Sequence, residues 1–424
     1  ECRINSTLSW LERLPKQIKG QTPVFAKDTG LSEQLPRIEK EAGKITELLA
    51  MTYPLLKQYV DQSDHAEGRY RFAHGNVGQA IRDLASQITL STSGWLGRLE
   101  VLEDTLSEAL SDKQYPVPLP DVELFYQQAG NWLGRAEKLL ALWDRLHKEL
   151  KKGEMPMACW LKLDENAGGN IDISINASPI QAAELLKDRL WGSCYGAVLT
   201  SATLKSLGNF NTLQRETGVP NSAYFLSVAG AFNYGEAATV RVPSDAVEGN
   251  SVEDHSQYIV DNLESMVEDK AGTLVLFSSK RQMEQVYDEL PNHLAKIILI
   301  QGQYSNREMV RLHKERIGQG KTSVLLGLAS FAEGVDLPGD YCKHVVIAKL
   351  PFAVPDDPLQ EALAEWIEDN GGNSFFDISL PIASLRLIQA CGRLLRTESD
   401  TGRVTSLDKR LVTKRYGSQL INAL

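Results

Sequence analysis

From position 236 onward, short apolar runs alternate with longer segments of helical spacing, a rhythm that few folds other than a helix-covered parallel sheet can satisfy. The runs are "ATVRVP", "GTLVLFSS", "KIILIQG", "SVLLGL" and "KHVVIAKLPF". Between them, residues 253–269, 280–290 and 305–318 space their apolar side chains three and four apart, as helices do. The central runs are apolar on both faces, as strands buried between two helical layers must be.

Residues 1–155 have almost no strand signal. "LPRIEKEAGKITELLAMTYPLLKQYV", "WLGRLEVLEDTLSEALSD" and "FYQQAGNWLGRAEKLLALWDRLHKELKKG" read as long amphipathic helices joined by polar loops such as "KQYPVPLPD". The pattern then changes. "ACWLKLDENAGGNIDISIN" alternates apolar and polar residues around a Gly-Gly turn, which predicts strand, turn and strand. A helix is expected over 180–191, followed by a buried strand at Gly196-Ala197-Val198-Leu199. The chain thus divides into three parts, 1–157, 158–235 and 236–424.

At 424 residues the chain can bury two or three cores, and with 42% hydrophobic and 24% charged residues it has the make-up of a water-soluble globular protein. No apolar run reaches the roughly 18 residues of a membrane span. Glu1-Cys2-Arg3 lacks the layout of a signal peptide, so a cytoplasmic location and no membrane partner are expected. The five cysteines are scattered and form no metal-binding spacing; no metal site is expected within the chain. A net charge of -10 argues against a generally basic coat, but residues 381–424 carry eight Lys or Arg against three acids. Whatever meets that segment is expected to be anionic.

Gly320-Lys321-Thr322 looks like the end of a phosphate-cradling loop, which requires G-x-x-x-x-G-K-[ST] between a strand and a helix. The first glycine of that pattern is replaced by Glu315, and the order is reversed, helix before strand. A turn from helix into strand explains the motif better. Asp164-Glu165, an apparent acidic pair, reads as a surface turn, because Lys162 interrupts the run before it.

Four segments remain. "VLTSATL" (198–204) places Ser201 and Thr203 after an apolar run, where small hydroxyls can meet a ligand or cap a helix equally well. "TLVLFSSKRQMEQVY" (273–287) ends its strand at Ser278-Ser279, suited either to a phosphate contact or to simple capping. "SFAEGVDLPG" (330–339) sets Glu333 and Asp336 about Gly334, in a loop where glycine lets a ligand approach the backbone and a carboxylate can bind a ribose hydroxyl or a basic partner. "QACGRLLR" (389–396) puts Gln389, Arg393 and Arg396 at i, i+4 and i+7, on one face if the segment is helical, with Gly392 leaving room for close approach. Two guanidiniums so placed could clamp a transferring phosphoryl group.

Taken in order, "LTSATL", "LVLFSS", "QGQ" (301–303), "SFAEGVDLPG" and "QACGRLLR" resemble the later motifs of superfamily 2 helicases, and "FAEGVDLPGD", "KLPFAVPDDP" and "LDKRLVTKRYG" resemble the XPD-like iron–sulfur branch. One departure is "AGAFNYG" (229–235), where that branch usually has Ser-Pro before Phe-Asn. The resemblance implies an α/β, RecA-like P-loop NTPase fold: a helical Arch-type domain over 1–157, the last part of helicase domain 1 over 158–235, and a complete helicase domain 2 over 236–424. It implies ATP and Mg2+ as cofactors, with Arg393, Arg396 and Gln389 as catalytic residues and Glu333, Gly334, Asp336 and Gly392 at ATP. Ser201, Thr203, Ser278, Ser279, Gln301 and Arg410 would contact DNA or couple hydrolysis to movement. The implied partners are single-stranded DNA and forked or hybrid duplexes, unwound 5′ to 3′ by a monomer. The P-loop, the Asp-Glu-x-His box and the cysteines of a [4Fe-4S] cluster are expected upstream of this chain, and without them it is expected not to hydrolyse ATP alone. A RecA-like nucleic-acid-binding module without catalysis is the alternative.

Overall fold

The computed structural model describes residues 1–424 except 63–67, 113, 150–152, 166–168, 170, 231–232, 329–330, 332–333 and 353–356, and the side chain of Thr29. Two compact units emerge: residues 1–180 with 355–370, and residues 181–354 with 371–424. They cut the chain differently from the three parts expected from sequence, since 181–235 joins the second unit and 355–370 the first.

The first unit is built on three long helices, α3 (Thr29–Asp61), α4 (Gln79–Ser111) and α5 (Leu119–His147), preceded by α1 (Ile4–Leu11) and α2 (Leu14–Gln21). Their buried residues recur at alternating intervals of four and three: Leu31, Leu35, Ile38, Ala42, Ile45 and Leu49 in α3, and Ile81, Ala85, Ile88, Thr92, Trp95, Leu99 and Leu102 in α4. A spacing of about 3.5 keeps a narrow apolar seam on one side of each helix, as in side-by-side helix packing. Val122, Phe125, Ala129, Trp132 and Ala136 continue the same seam on α5.

A small antiparallel sheet, order β1-β4-β3-β2, completes this unit: β1 (Cys2–Arg3), β2 (Arg69–Phe72), β3 (Met157–Glu165) and β4 (Ile171–Pro179). The β3–β4 hairpin follows the Gly-Gly signal, with Leu161 opposite Ile175. β1 and β2 are the strands of an N-terminal part whose sequence has almost no strand signal; at two and four residues they are too short for alternation to register, and they exist because β4 and β3 offer open edges. Asp164 and Glu165 also differ from expectation: they end strand β3 rather than forming a turn, and Asp164 pairs with Lys162 at 3.1 Å. Buried Asp172 on β4 accepts the amides of Asn5 and Ser6 at 2.8 and 2.9 Å, satisfying two free N–H groups at the start of α1.

The second unit is a six-stranded, fully parallel sheet of order β5-β10-β9-β6-β8-β7, formed by β5 (Ala238–Arg241), β6 (Gly272–Phe277), β7 (Ile298–Ile300), β8 (Ser323–Leu328), β9 (His344–Ile347) and β10 (Gly402–Ser406). The chain runs outward from β6 to β7, returns through β8, then crosses to β9 and β10 on the other side of β6. That reversal creates a crevice at the C-terminal ends of the strands, the usual ligand position in open parallel sheets. Helices Val252–Leu263, Lys280–Glu289, Asn306–Gly318 and Leu380–Cys391 belong to this unit.

Two segments depart from the sequence reading. The helix expected over 180–191 is a single α-turn, Ala183–Leu186, running into a π-turn, Lys187–Trp191. The strand expected at 196–199 is absent from these described residues, and Val198 is 92% exposed. An apolar run becomes a strand only beside a partner strand that takes up its backbone groups, and 196–199 has none here.

Buried histidines give this unit a pH dependence. His344 donates from Nδ1 to the Met266 carbonyl at 2.6 Å and accepts at Nε2 from Thr405 at 2.8 Å. His313 donates from Nε2 to the Tyr341 carbonyl and accepts from Ser323 at 2.8 and 2.9 Å. Burial drives both from the ordinary 6.5 to about 4, outweighing those carbonyl bonds. The unfolded chain binds the extra protons, so stability is full above the unfolded pKa and is lost as pH falls toward the folded one. We expect each histidine to remove about 2 kcal/mol between pH 7 and pH 5, read as a falling urea midpoint. His344→Gln should flatten that slope.

Candidate functional site at the C-terminal edge of the parallel sheet

The helix carrying Gln389 ends at Cys391, with Gly392 as its cap, so Arg393 and Arg396 do not continue the helical face expected for them. Their convergence has another cause. Beyond the cap, Asp400 folds the chain back by accepting the amides of Arg396 and Thr397 at 2.8 and 2.9 Å and the Thr397 hydroxyl at 2.7 Å. Burial pushes the Asp400 carboxyl up, but these bonds outweigh it and hold the group below its ordinary range. A Cβ on Gly392 would lie 3.2 Å from the Ile388 carbonyl oxygen, so the glycine eases the end of the helix itself.

Both guanidiniums then meet one main-chain oxygen. Arg393 Nη1 and Arg396 Nη2 donate to the carbonyl of Val335 at 2.9 and 3.0 Å. Arg393 Nε also donates to the Gln389 carbonyl at 3.2 Å, and Arg396 Nε lies 3.4 Å from exposed Asp336. Val335 belongs to the loop after β8 and is fixed by burial of its side chain and that of Leu337. A carbonyl oxygen has two lone pairs, enough to orient both guanidinium forks at once. Glu333, expected in the same loop, lies outside the described residues; Gly334 and Asp336 are where the sequence placed them.

On the other side, Gln389 Nε2 donates to the Thr203 hydroxyl at 3.4 Å, and the Thr203 amide donates to Ser201 Oγ at 3.2 Å. The Leu207 amide donates to Ser384 Oγ, and Arg215 donates to the Asp377 carbonyl, pinning the 201–217 segment to the same helix and its preceding turn. A continuous polar chain therefore runs from Ser201 through Thr203, Gln389, Arg393 and Val335 to Arg396 and Asp336.

Other sequence candidates stand at the same strand ends with different partners. Ser279 caps helix Lys280–Glu289 by accepting the Gln282 amide at 3.4 Å, with Ser278 just before it. Gln301, after β7, accepts the Leu328 amide through Oε1 at 2.8 Å and so fixes where β8 gives way to its loop. Arg410 is committed to Asp408, with Nη2 at 2.6 Å from the carboxylate, and its guanidinium lies over Phe352 at 5.7 Å. Sequence reasoning missed Val335, whose contribution is a backbone atom, together with Asp400 and Asp408; an acid shortly after an Arg-rich turn was the available signal for Asp400.

Gly320-Lys321-Thr322 lies before β8, at the opposite ends of the strands. Gly320 has φ +72°, its amide donates to the Ile317 carbonyl, and the Lys321 amide donates to that of Arg316, a Schellman helix stop. Among the described residues no group of three or more His, Cys, Asp or Glu could hold a metal ion, and no helix is long and apolar enough to cross a membrane.

Residues 263–424 match the model of the helicase C-terminal domain family. Over 99% of its length the chain is 34% identical to the ATP-dependent DNA helicase DinG of Photobacterium profundum, covering 60% of that protein. Over 92% of its length it is 32% identical to the DinG of Escherichia coli strain K12, covering 54%. The chain thus spans less than two thirds of the length of these relatives. Among solved structures, Xpd4 of S. tokodaii aligns with 95% of this chain and 67% of its own, at 16% identity and a TM-score of 0.49.

Proposed function

We propose that this chain, a relative of the DinG ATP-dependent DNA helicases, supplies the second RecA-like domain and the Arch-type helical unit of an enzyme that uses ATP and Mg2+ to move along single-stranded DNA and open duplexes. The observation that carries this reading is the pair of guanidiniums held by one loop carbonyl at the strand ends and linked through Gln389 to Thr203. In phosphoryl transfer, charge grows on the transferred group, and preorganised cations at that point lower the barrier. Arg393 and Arg396 are proposed to supply those cations. Gln389, Thr203 and Ser201 would report their position to the segment they touch, while the loop with Glu333, Gly334 and Asp336 would join nucleotide and strand. The start of the helix after Ser278-Ser279, with its partial positive charge, would suit a DNA phosphate.

Unwinding from 5′ to 3′, action on forked or hybrid duplexes, a [4Fe-4S] cluster and a monomeric state complete the proposal. The test is phosphate release by the protein expressed from its complete reading frame, with and without single-stranded DNA. We expect a strand-stimulated rate, and strand binding whose log affinity falls linearly with log salt. Strand binding without phosphate release would instead identify a nucleic-acid-binding module. Absence of strand binding even at about 50 mM salt would overturn both readings.

A further inference from the structure

Helix Pro358–Asp369 lies in sequence between β9 and helix Leu380–Cys391 of the parallel-sheet unit, yet it packs as part of the helical unit. Its apolar face buries Ala362, Leu363 and Ile367. Glu361, Glu365 and Asp369, at i, i+4 and i+8, form a second stripe, and this acidic stripe meets Arg71 of β2 and the turn that follows it. Arg71 Nε donates to Glu361 at 2.8 Å, while Nη1 and Nη2 donate to the two oxygens of Glu365 at 2.9 and 3.4 Å. The Arg71 side chain is only 19% exposed and those of Glu361 and Glu365 are little more so, a degree of burial at which removing one partner matters.

The next turn is shaped for the same helix. His74 has φ +51°, an unfavourable conformation for a residue with a Cβ, and in it the His74 amide donates to Glu365 at 2.6 Å while Nδ1 lies 3.0 Å from Asp369. Burial of Glu365 raises its pKa, but the Arg71 guanidinium and the His74 amide outweigh that and leave the carboxyl below its ordinary range. Local strain and a three-bond guanidinium clamp thus fix a helix whose flanking residues on both sides belong to the other unit.

We propose that helix Pro358–Asp369 is a strap and that Arg71 is a positioning residue that couples ATP hydrolysis to strand separation through it. The chain re-enters the parallel-sheet unit at Gly371, and only the residues up to Ser379 separate it from the helix bearing Gln389. With the strap anchored, a shift of that helix on phosphate binding pulls against the helical unit; with it released, the shift is lost in the connecting residues. The role of the strap rests on the helicase reading above.

The test uses Arg71→Met, Glu365→Gln and the double variant. In hydrogen exchange, each single variant is expected to speed exchange of the 358–369 amides by about tenfold or more, with β6 and β9 unchanged; the double variant should add little, because both changes remove one interaction. In helicase assays, phosphate release is expected to stay within about twofold, while duplex opened per ATP falls at least about threefold. Arg71→Lys should restore part of that ratio. Unchanged exchange at 358–369 would overturn the strap, and faster exchange with an unchanged ratio of opening to hydrolysis would overturn the coupling role. If the unsubstituted protein opens no duplex, the helicase reading fails and the coupling role with it, whereas exchange still decides whether Arg71 anchors the helix.

Discussion

Asp408→Ala is expected to cost the parallel-sheet unit about 3–5 kcal/mol, the range for leaving one member of a buried ion pair without its partner. The Asp408 side chain is fully buried at the end of β10. It accepts the Leu350 amide at 3.1 Å, the Arg410 amide at 3.1 Å and the Arg410 guanidinium at 2.6 Å, so it joins the ends of β9 and β10 to the final helices. Burial pushes its pKa up, but Arg410 and the amides prevail and keep it below the ordinary 3.8. The contribution is therefore present at neutral pH and lost only as pH falls through the folded value. Removing the carboxylate leaves Arg410 facing Phe352 and two amides without an acceptor. Tryptophan distribution allows the effect to be localised: Trp10, Trp95, Trp132, Trp143, Trp160 and Trp366 lie in the helical unit and only Trp191 in the other. Chemical denaturation of Asp408→Ala should lose circular dichroism at a lower midpoint than tryptophan fluorescence. Coincident, unshifted transitions would show that the ion pair contributes nothing net.

Legibility in the sequence followed the range of the forces involved. The parallel sheet was readable because apolar runs at β6, β8 and β9 must be buried on both faces wherever they sit, and the long helices because α3 to α5 repeat one apolar spacing over many turns. Segments that depend on a distant neighbour were not readable. Among the described residues Gly196 to Leu199 has strand composition and no strand partner, whereas Arg69–Phe72 has little composition signal and a partner in β3. Helix Pro358–Asp369 groups with residues 1–180 although it lies in sequence among residues of the other unit, and nothing in a run of sequence shows that Glu361 and Glu365 will meet an arginine some 290 residues earlier. At the candidate site, the side chains were identifiable and their geometry was not. Arg393 and Arg396 were expected to converge as residues of one helix, yet they converge because Asp400 turns the chain and Val335 offers a carbonyl.

That geometry sets the largest effect expected of any substitution. On the helicase reading, Arg393→Ala in the protein expressed from its complete reading frame should lower strand-stimulated ATP turnover by about 10³, the lower end of what a charge-stabilising arginine contributes to phosphoryl transfer. Arg393→Lys should recover little, because an ammonium cannot hold the Val335 carbonyl, the Gln389 carbonyl and a phosphoryl oxygen with one planar fork. Arg396→Ala should also lower turnover, since its guanidinium meets the same Val335 carbonyl. Strand affinity should stay within about twofold for all three, because the loss belongs to the transition state and not to ground-state binding. A purely structural role for Arg393 would produce another pattern: turnover reduced by only a few-fold, a lowered melting temperature, and near-complete rescue by lysine. The decisive comparison is therefore turnover against thermal stability for alanine and lysine at position 393, and a drop in turnover that merely tracks the drop in stability would remove Arg393 from the chemistry.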